Sequence, residues 1–232
     1  NANAISVAEH VMAMFLNVCK ICKKSDQLVR SGKFSEKSSL PDFFEMYKKN
    51  VLILGYGRIG KVLSKRCLGF DSKVYVYDPY IEVSVIEENN CIPVDFEEGL
   101  KIADFISIHI PINSETTNMI SKNQFGIMKK NCILVNTARG GIINEKDLFW
   151  ALSNNKIYGS GIDVYQKEPP DKNNPLFKLD NIMLSPHNAS LTLECRKRMS
   201  VETCENIVNY LKDKSKLNIS NIVNSKIINS NI

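Results

Sequence analysis

Only three histidines occur in the 232 residues, His10, His109 and His187, so imidazole chemistry near neutral pH must use one of them. His187 stands in Leu184-Ser185-Pro186-His187-Asn188, where an apolar run ends and a proline fixes a turn. Loops at strand ends are where α/β sheets carry reactive groups. A lone histidine there is more often structural, but two other segments shift the balance. Val135-Asn136-Thr137-Ala138-Arg139-Gly140-Gly141 sets an arginine at the exit of a buried strand, before glycines that let a ligand approach. Gly161-Ile162-Asp163-Val164-Tyr165-Gln166-Lys167-Glu168-Pro169 sets Asp163 near a strand end and Glu168 in the loop after it.

A second constellation is Gly55-Tyr56-Gly57-Arg58-Ile59-Gly60. Gly-x-Gly-x-x-Gly is weak evidence alone, but here the apolar run Val51–Leu54 leads into it and a helical pattern follows. Gly55 permits the tight turn, Gly57 lets the backbone approach a pyrophosphate, and Gly60 lets the helix pack close to the strand. The helix N-terminus then offers amide donors to the anion. The next strand ends at Asp78, whose carboxylate can accept from ribose hydroxyls and repel a 2′-phosphate; NAD is therefore expected over NADP.

The elements that position these groups alternate in type, the pattern of a parallel sheet covered by helices. Strands are expected at 51–54, 73–77, 91–94, 105–109, 132–135, 159–164 and 182–184, with helices at 58–69, 81–89, 95–102, 121–128 and 144–153. Residues 6–30 read as one long helix with Val7, Val11, Met14, Phe15, Val18 and Ile21 on one face and a Ser6–Glu9 capping box. Met12, Met14 and Phe15 add apolar surface to it, expected at a subunit contact, and His10 is read as structural. A polar stretch runs to about residue 49. A last amphipathic helix, 190–213, carries Val201, Cys204, Ile207, Val208 and Leu211 on one face, before a tail rich in Asn, Ser, Lys and Ile.

The net charge of +5 is spread along the chain, so no nucleic-acid surface is expected. No apolar run reaches the roughly 18 residues of a membrane span, and no basic stretch precedes the apolar run Val11–Cys19, so neither membrane nor signal peptide is expected. Seven cysteines, an odd number set mostly in apolar stretches, suggest reduced thiols and a cytoplasmic location. Cys19 and Cys22 have metal-ligand spacing but no second pair, so one core thiol and one nearer the surface are expected, with no metal.

Together these blocks resemble the D-specific 2-hydroxyacid dehydrogenase family, which includes phosphoglycerate, glycerate and D-lactate dehydrogenases. The similarity runs from Ser6-Val7-Ala8-Glu9-His10, through the glycine loop and His109-Ile110-Pro111, to Ser185-Pro186-His187, about residues 3–210. It implies a Rossmann-type doubly wound sheet, NAD as cofactor, a homodimer, and a 2-hydroxy/2-oxo acid substrate of phosphoglycerate or hydroxypyruvate type. By position, Arg139 resembles the arginine that grips the substrate carboxylate, and His187 the general acid and base at the substrate oxygen. Glu168 resembles its carboxylate partner, which favours the imidazolium. Glutamate there, where formate dehydrogenase has glutamine, argues against formate. Asp163 resembles the residue near the nicotinamide carboxamide. Arg58, Ile59, Ile110, Pro111, Thr116, Thr137 and Ala138 resemble further cofactor contacts, and His109 is expected to border the cofactor without proton chemistry.

The family's smaller substrate domain is built largely from residues before the Ser6 block, so most of it is expected to be absent here. The expected organisation is an interdomain and dimerisation helix at 1–30, an NAD-binding domain at 31–188, and a returning helix plus tail at 189–232. Without the second domain the cleft stays wet, and NAD binding with poor turnover is expected. A competing reading is an NAD-sensing corepressor of the same fold. A short-chain dehydrogenase reading on Tyr210 and Lys214 is set aside, because Arg196-Lys197-Arg198 stands where its serine would lie.

Overall fold

Unbroken apolar runs such as Ile133-Leu134-Val135 suit strands covered on both faces. The computed structural model, which describes residues 2–212, builds seven of them. They are β1 (Asn50–Leu54), β2 (Lys73–Tyr77), β3 (Ile92–Pro93), β4 (Phe105–Ile108), β5 (Ile133–Asn136), β6 (Gly159–Ile162) and β7 (Ile182–Leu184). All pairings are parallel, in the order β3-β2-β1-β4-β5-β6-β7. The chain winds outward one way from β1 and the other way from β4, so their junction is the switch point where such sheets bind ligands.

The helices are α1 (Ala4–Cys19), α2 (Cys22–Arg30), α3 (Arg58–Leu68), α4 (Val83–Glu87), α5 (Phe96–Ile102), α6 (Lys122–Ile127), α7 (Glu145–Ser153) and α8 (Leu193–Lys212). Register sorts the strand side chains into two layers, because Val51 faces Phe105 and Leu52 faces Ile106 across β1 and β4. Val51, Ile53, Phe105, Ile133 and Val135 pack with Val11 and Phe15 of α1 and Leu63 of α3. Leu52, Leu54, Ile106 and Leu134 pack with Leu100, Phe125, Leu148 and Leu152 of α5, α6 and α7. Phe15 meets Phe105 edge-on at 5.1 Å. Truncating so buried a ring costs about 3–5 kcal/mol.

Several expectations change. The long helix over 6–30 breaks at Ile21, which sits at φ 46°, and α2 departs from α1 by 60°. The Phe44 amide, at 3.1 Å, takes the Cys19 carbonyl that a continuous helix would have used. The Ser6–Glu9 capping box is absent: the cap is Asn3, without a side-chain cap bond, and Ser6 is buried inside α1. Met12, Met14 and Phe15 are buried in this chain's own core, so they offer no apolar surface to a subunit contact. The polar stretch holds a 3-10 turn, Phe34–Ser39. Strand β3 shrinks to Ile92–Pro93 at the sheet edge, where a proline without an amide is tolerated. On α8, Val201, Cys204, Ile207, Val208 and Leu211, expected on one face, are all exposed. Cys19 is buried and Cys22 exposed, and all seven cysteines are free.

The contacts divide the chain into two compact units, one running from Asn3 to Ser190 and one beginning at Leu191. The expected interdomain helix, α1, thus belongs to the same unit as the sheet. Lys214 and the tail lie outside the described residues. No single described helix is long and apolar enough to cross a membrane.

Candidate active site at the carboxyl edge of the sheet

Each glycine of the loop after β1 meets a different constraint. Gly55 turns at φ 93°, and a Cβ there would stand 2.8 Å from the His109 carbonyl oxygen. A Cβ on Gly60 would strike the Gly55 oxygen, whereas one on Gly57 would meet nothing within 4 Å. The loop is packed where helix meets strand and open where an anion would lie. Gly57 caps α3 with no side-chain bond to the first amides. Arg58 is exposed beside it and Ile59 reaches the neighbouring cleft.

Asp78 does work not evident from its position. Its carboxylate accepts from the Tyr56 amide at 2.7 Å and the Tyr80 amide at 3.0 Å. It therefore holds the glycine loop in shape, with lone pairs left for a ribose.

A cleft of about 460 Å³ opens over the ends of β4, β5 and β6. Ile59, Ile110, Pro111, Thr137, Ala138, Arg139, Asp163 and His187 all line it. Thr116 does not. Its hydroxyl donates to the Pro111 carbonyl at 2.7 Å and accepts from the Asn113 amide at 2.8 Å, so it fastens the loop behind Pro111. Two buried polar atoms lack partners among the described residues, His109 Nδ1 and Thr137 Oγ1, and both residues line this cleft. Orphaned buried groups cost about 1–3 kcal/mol each, so a polar ligand seated here would satisfy them. Burial pushes His109 down to about 3, and its Nε2 pairs with Ser107 Oγ at 2.8 Å; it stays neutral.

Arg139 is exposed, with no carboxylate within 4.0 Å of its guanidinium among the described residues; it donates to the Ala138 carbonyl at 2.6 Å. Asn136 folds the turn that presents it, accepting from the Ala138 amide at 3.0 Å and donating to the Arg139 carbonyl at 2.9 Å. Sequence reasoning passed over Asn136, although an asparagine closing a buried strand is a local turn signal. Gly140 is obligatory behind it, since a Cβ would enter the Tyr165 carbonyl.

His187 Nδ1 lies 2.7 Å from Glu168 Oε2, and the other Glu168 oxygen accepts from the Tyr165 amide at 3.0 Å. With Nδ1 committed, Nε2 is the nitrogen left for a ligand. Burial works to raise the Glu168 pKa, but the bonds from His187 and Tyr165 and the charges of His187 and Arg139 outweigh it and hold the carboxyl below its ordinary range.

Asp163 differs most from expectation. It is wholly buried, and its carboxylate accepts from Ser185 Oγ at 2.5 Å, the Asn188 amide at 2.9 Å and the Ala189 amide at 3.0 Å. The His187 amide donates to its carbonyl at 2.8 Å. It is first a scaffold for the loop that carries His187, with one lone-pair site left over. Ser185, also missed, links the two. The packed and open glycines and the orphaned polar atoms fit a bound dinucleotide.

A family model described as "D-isomer specific 2-hydroxyacid dehydrogenase, NAD binding domain" matches residues 12–189. D-3-phosphoglycerate dehydrogenase of Archaeoglobus fulgidus is 37% identical over 222 residues, covering 96% of this chain and 41% of that protein. Glyoxylate reductase of Thermococcus litoralis is 38% identical over 221 residues, covering 93% of this chain and 66% of that protein. The solved D-lactate dehydrogenase of Aquifex aeolicus, complexed with NAD and lactic acid, superposes with a TM-score of 0.86 at 30% identity, covering 96% and 71% of the two chains. The chain thus spans 41% to 66% of the length of these two curated relatives. With the family model matched over residues 12–189, the chain belongs to the D-isomer specific 2-hydroxyacid dehydrogenase family and carries that family's NAD-binding domain.

Proposed function

We propose that the protein to which this domain belongs interconverts a D-2-hydroxy acid and its 2-oxo acid, of phosphoglycerate or hydroxypyruvate type, with NAD. The observation that carries this reading is that His187, its Nδ1 2.7 Å from Glu168, shares one cleft with Arg139, a cation without a carboxylate partner among the described residues. Arg139 takes both oxygens of the substrate carboxylate in a bidentate grip and so fixes the carbonyl. Glu168 holds His187 by Nδ1, and His187 delivers a proton from Nε2 to the carbonyl oxygen during reduction. It takes that proton back during oxidation. NAD, when bound, supplies or accepts the hydride. Asp78 favours NAD over NADP by repelling a 2′-phosphate.

The relatives' names support the substrate class, and Asn188-Ala189-Ser190 after the histidine resembles phosphoglycerate- and hydroxypyruvate-type members. A homodimer and a cytoplasmic location complete the proposal; family relationship alone supports the dimer, now that Met12, Met14 and Phe15 are accounted for internally. Steady-state assays with glyoxylate, hydroxypyruvate, 3-phosphohydroxypyruvate and pyruvate, each with NADH and NADPH, test the reading. Hydroxypyruvate or its phosphate should turn over best, with NADH. Failure to oxidise NADH with any of the four, in protein that binds NADH, would overturn it.

A further inference from the structure

His10 lies far from the catalytic loop in sequence and touches it in space. Its Nε2 stands 3.0 Å from Ser185 Oγ, across 175 residues of chain. Ser185 donates its own proton to Asp163 Oδ1 at 2.5 Å, so its oxygen is free to accept from a His10 Nε2–H. His10 Nε2 is also 3.8 Å from Asp163 Oδ1, and no other basic side chain comes within 4.0 Å of that carboxylate among the described residues. A buried carboxylate is retained only where charge or hydrogen bonds compensate it.

The group held by this arrangement is His187. Asp163 receives Ser185, Asn188 and Ala189 on its carboxylate and the His187 amide on its carbonyl, so residues 185–189 wrap around one side chain. At the centre of that wrap His187 adopts φ 53°, the left-handed region. A non-glycine residue is strained there and stays only where its surroundings over-determine the turn. The Glu168 bond fixes the ring, but not the turn beneath it.

We infer that His10 is a positioning residue for His187, acting through Ser185 and buried Asp163 to lock the left-handed turn that aims the imidazole into the cleft. This rests on the proposed role of His187 as the proton-transferring group. His10 itself lines no part of the cleft; it acts from α1 behind the loop.

The chain's three imidazoles give three ring Cε1–H signals, which make NMR the direct test. His10→Leu and His10→Asn remove a group at the Nε2 position, whereas His10→Gln can return an N–H there. In the Leu and Asn variants the His187 signal should move and broaden or split, and in His10→Gln it should return to its wild-type place. His109 should keep its signal throughout, as the witness that the sheet is intact. In the enzyme assay the Leu and Asn variants should lose about 10- to 100-fold in kcat, the scale of a misaimed catalytic group, with KM little changed and the Gln variant recovered. A His187 signal in His10→Asn that superimposes on wild type would overturn the inference, whether or not His10→Leu folds. Absent turnover in the wild-type protein would count instead against the proposed function and leave the NMR result standing.

Discussion

Two clefts of nearly equal size open at opposite edges of the sheet. The one at the carboxyl edge is about 460 Å³, and the one at the amino edge, between the end of α1 and the starts of β6 and β7, is about 490 Å³. The larger is walled by Val18, Ile21, Leu152, Ile157, Ile182 and Met183. Lys23, Lys24 and Lys130 line it too, and Lys24 pairs with Asp180 at 3.7 Å in the open. The smaller brings together an arginine, a histidine bonded from outside the lining to a carboxylate, and two residues with unpartnered buried polar atoms. Volume therefore does not locate chemistry in this fold; convergence of polar groups does. Parallel strands make the asymmetry, because every loop that leaves a strand does so at the same edge.

The contrast is sharpest at His187. His187→Ala should lower kcat about 10²- to 10⁴-fold, the usual worth of a general acid, while NADH titration by fluorescence changes little; retained turnover would break the distinction. Gly60→Val comes next. Its added carbons run into the Gly55 oxygen, so about 1–3 kcal/mol of stability should go, visible as a lowered thermal midpoint together with weakened NADH binding. An unchanged midpoint would show that helix–strand packing at this glycine is looser than the geometry says. Asp78→Asn should narrow the preference for NADH over NADPH about tenfold, which is about 1.4 kcal/mol. If the ratio of the two dissociation constants does not move, Asp78 serves only to hold the Tyr56 and Tyr80 amides. At the amino edge Lys24→Ala should cost less than about 1 kcal/mol and leave NADH binding alone; a clear loss of cofactor affinity would mean that the two edges communicate.

The same contrast explains what could be read from sequence. The glycine loop, the strands Lys73–Tyr77 and Ile182–Leu184, the cleft residues Arg139 and His187, and Glu168 beside His187 are local signals, each carried by a few neighbouring residues. The break at Ile21 is not, because periodicity continues straight through it. It depends on an amide from Phe44, in a segment whose path no pattern announces. Asp163 was legible as a site residue but not as the scaffold of its loop, since its partners come from 22 to 26 residues further along the chain. His10 read as structural for the same reason: its partner lies on the far side of the sequence. The exposed apolar face of α8 is a case where period 3.6 correctly marks a helix and says nothing about what covers it.

His109 has a bearing on reagents as well as on ligands. One of its nitrogens is buried and the other bonded to Ser107, while His187 keeps Nε2 open at a half-exposed ring and His10 shares its Nε2 with Ser185. An acylating reagent such as diethyl pyrocarbonate should therefore meet three imidazoles of graded nucleophilic access, fast at His187, slower at His10 and silent at His109. The stoichiometry of modification would then read two where the composition says three, and the order of the two would show which ring faces solvent first.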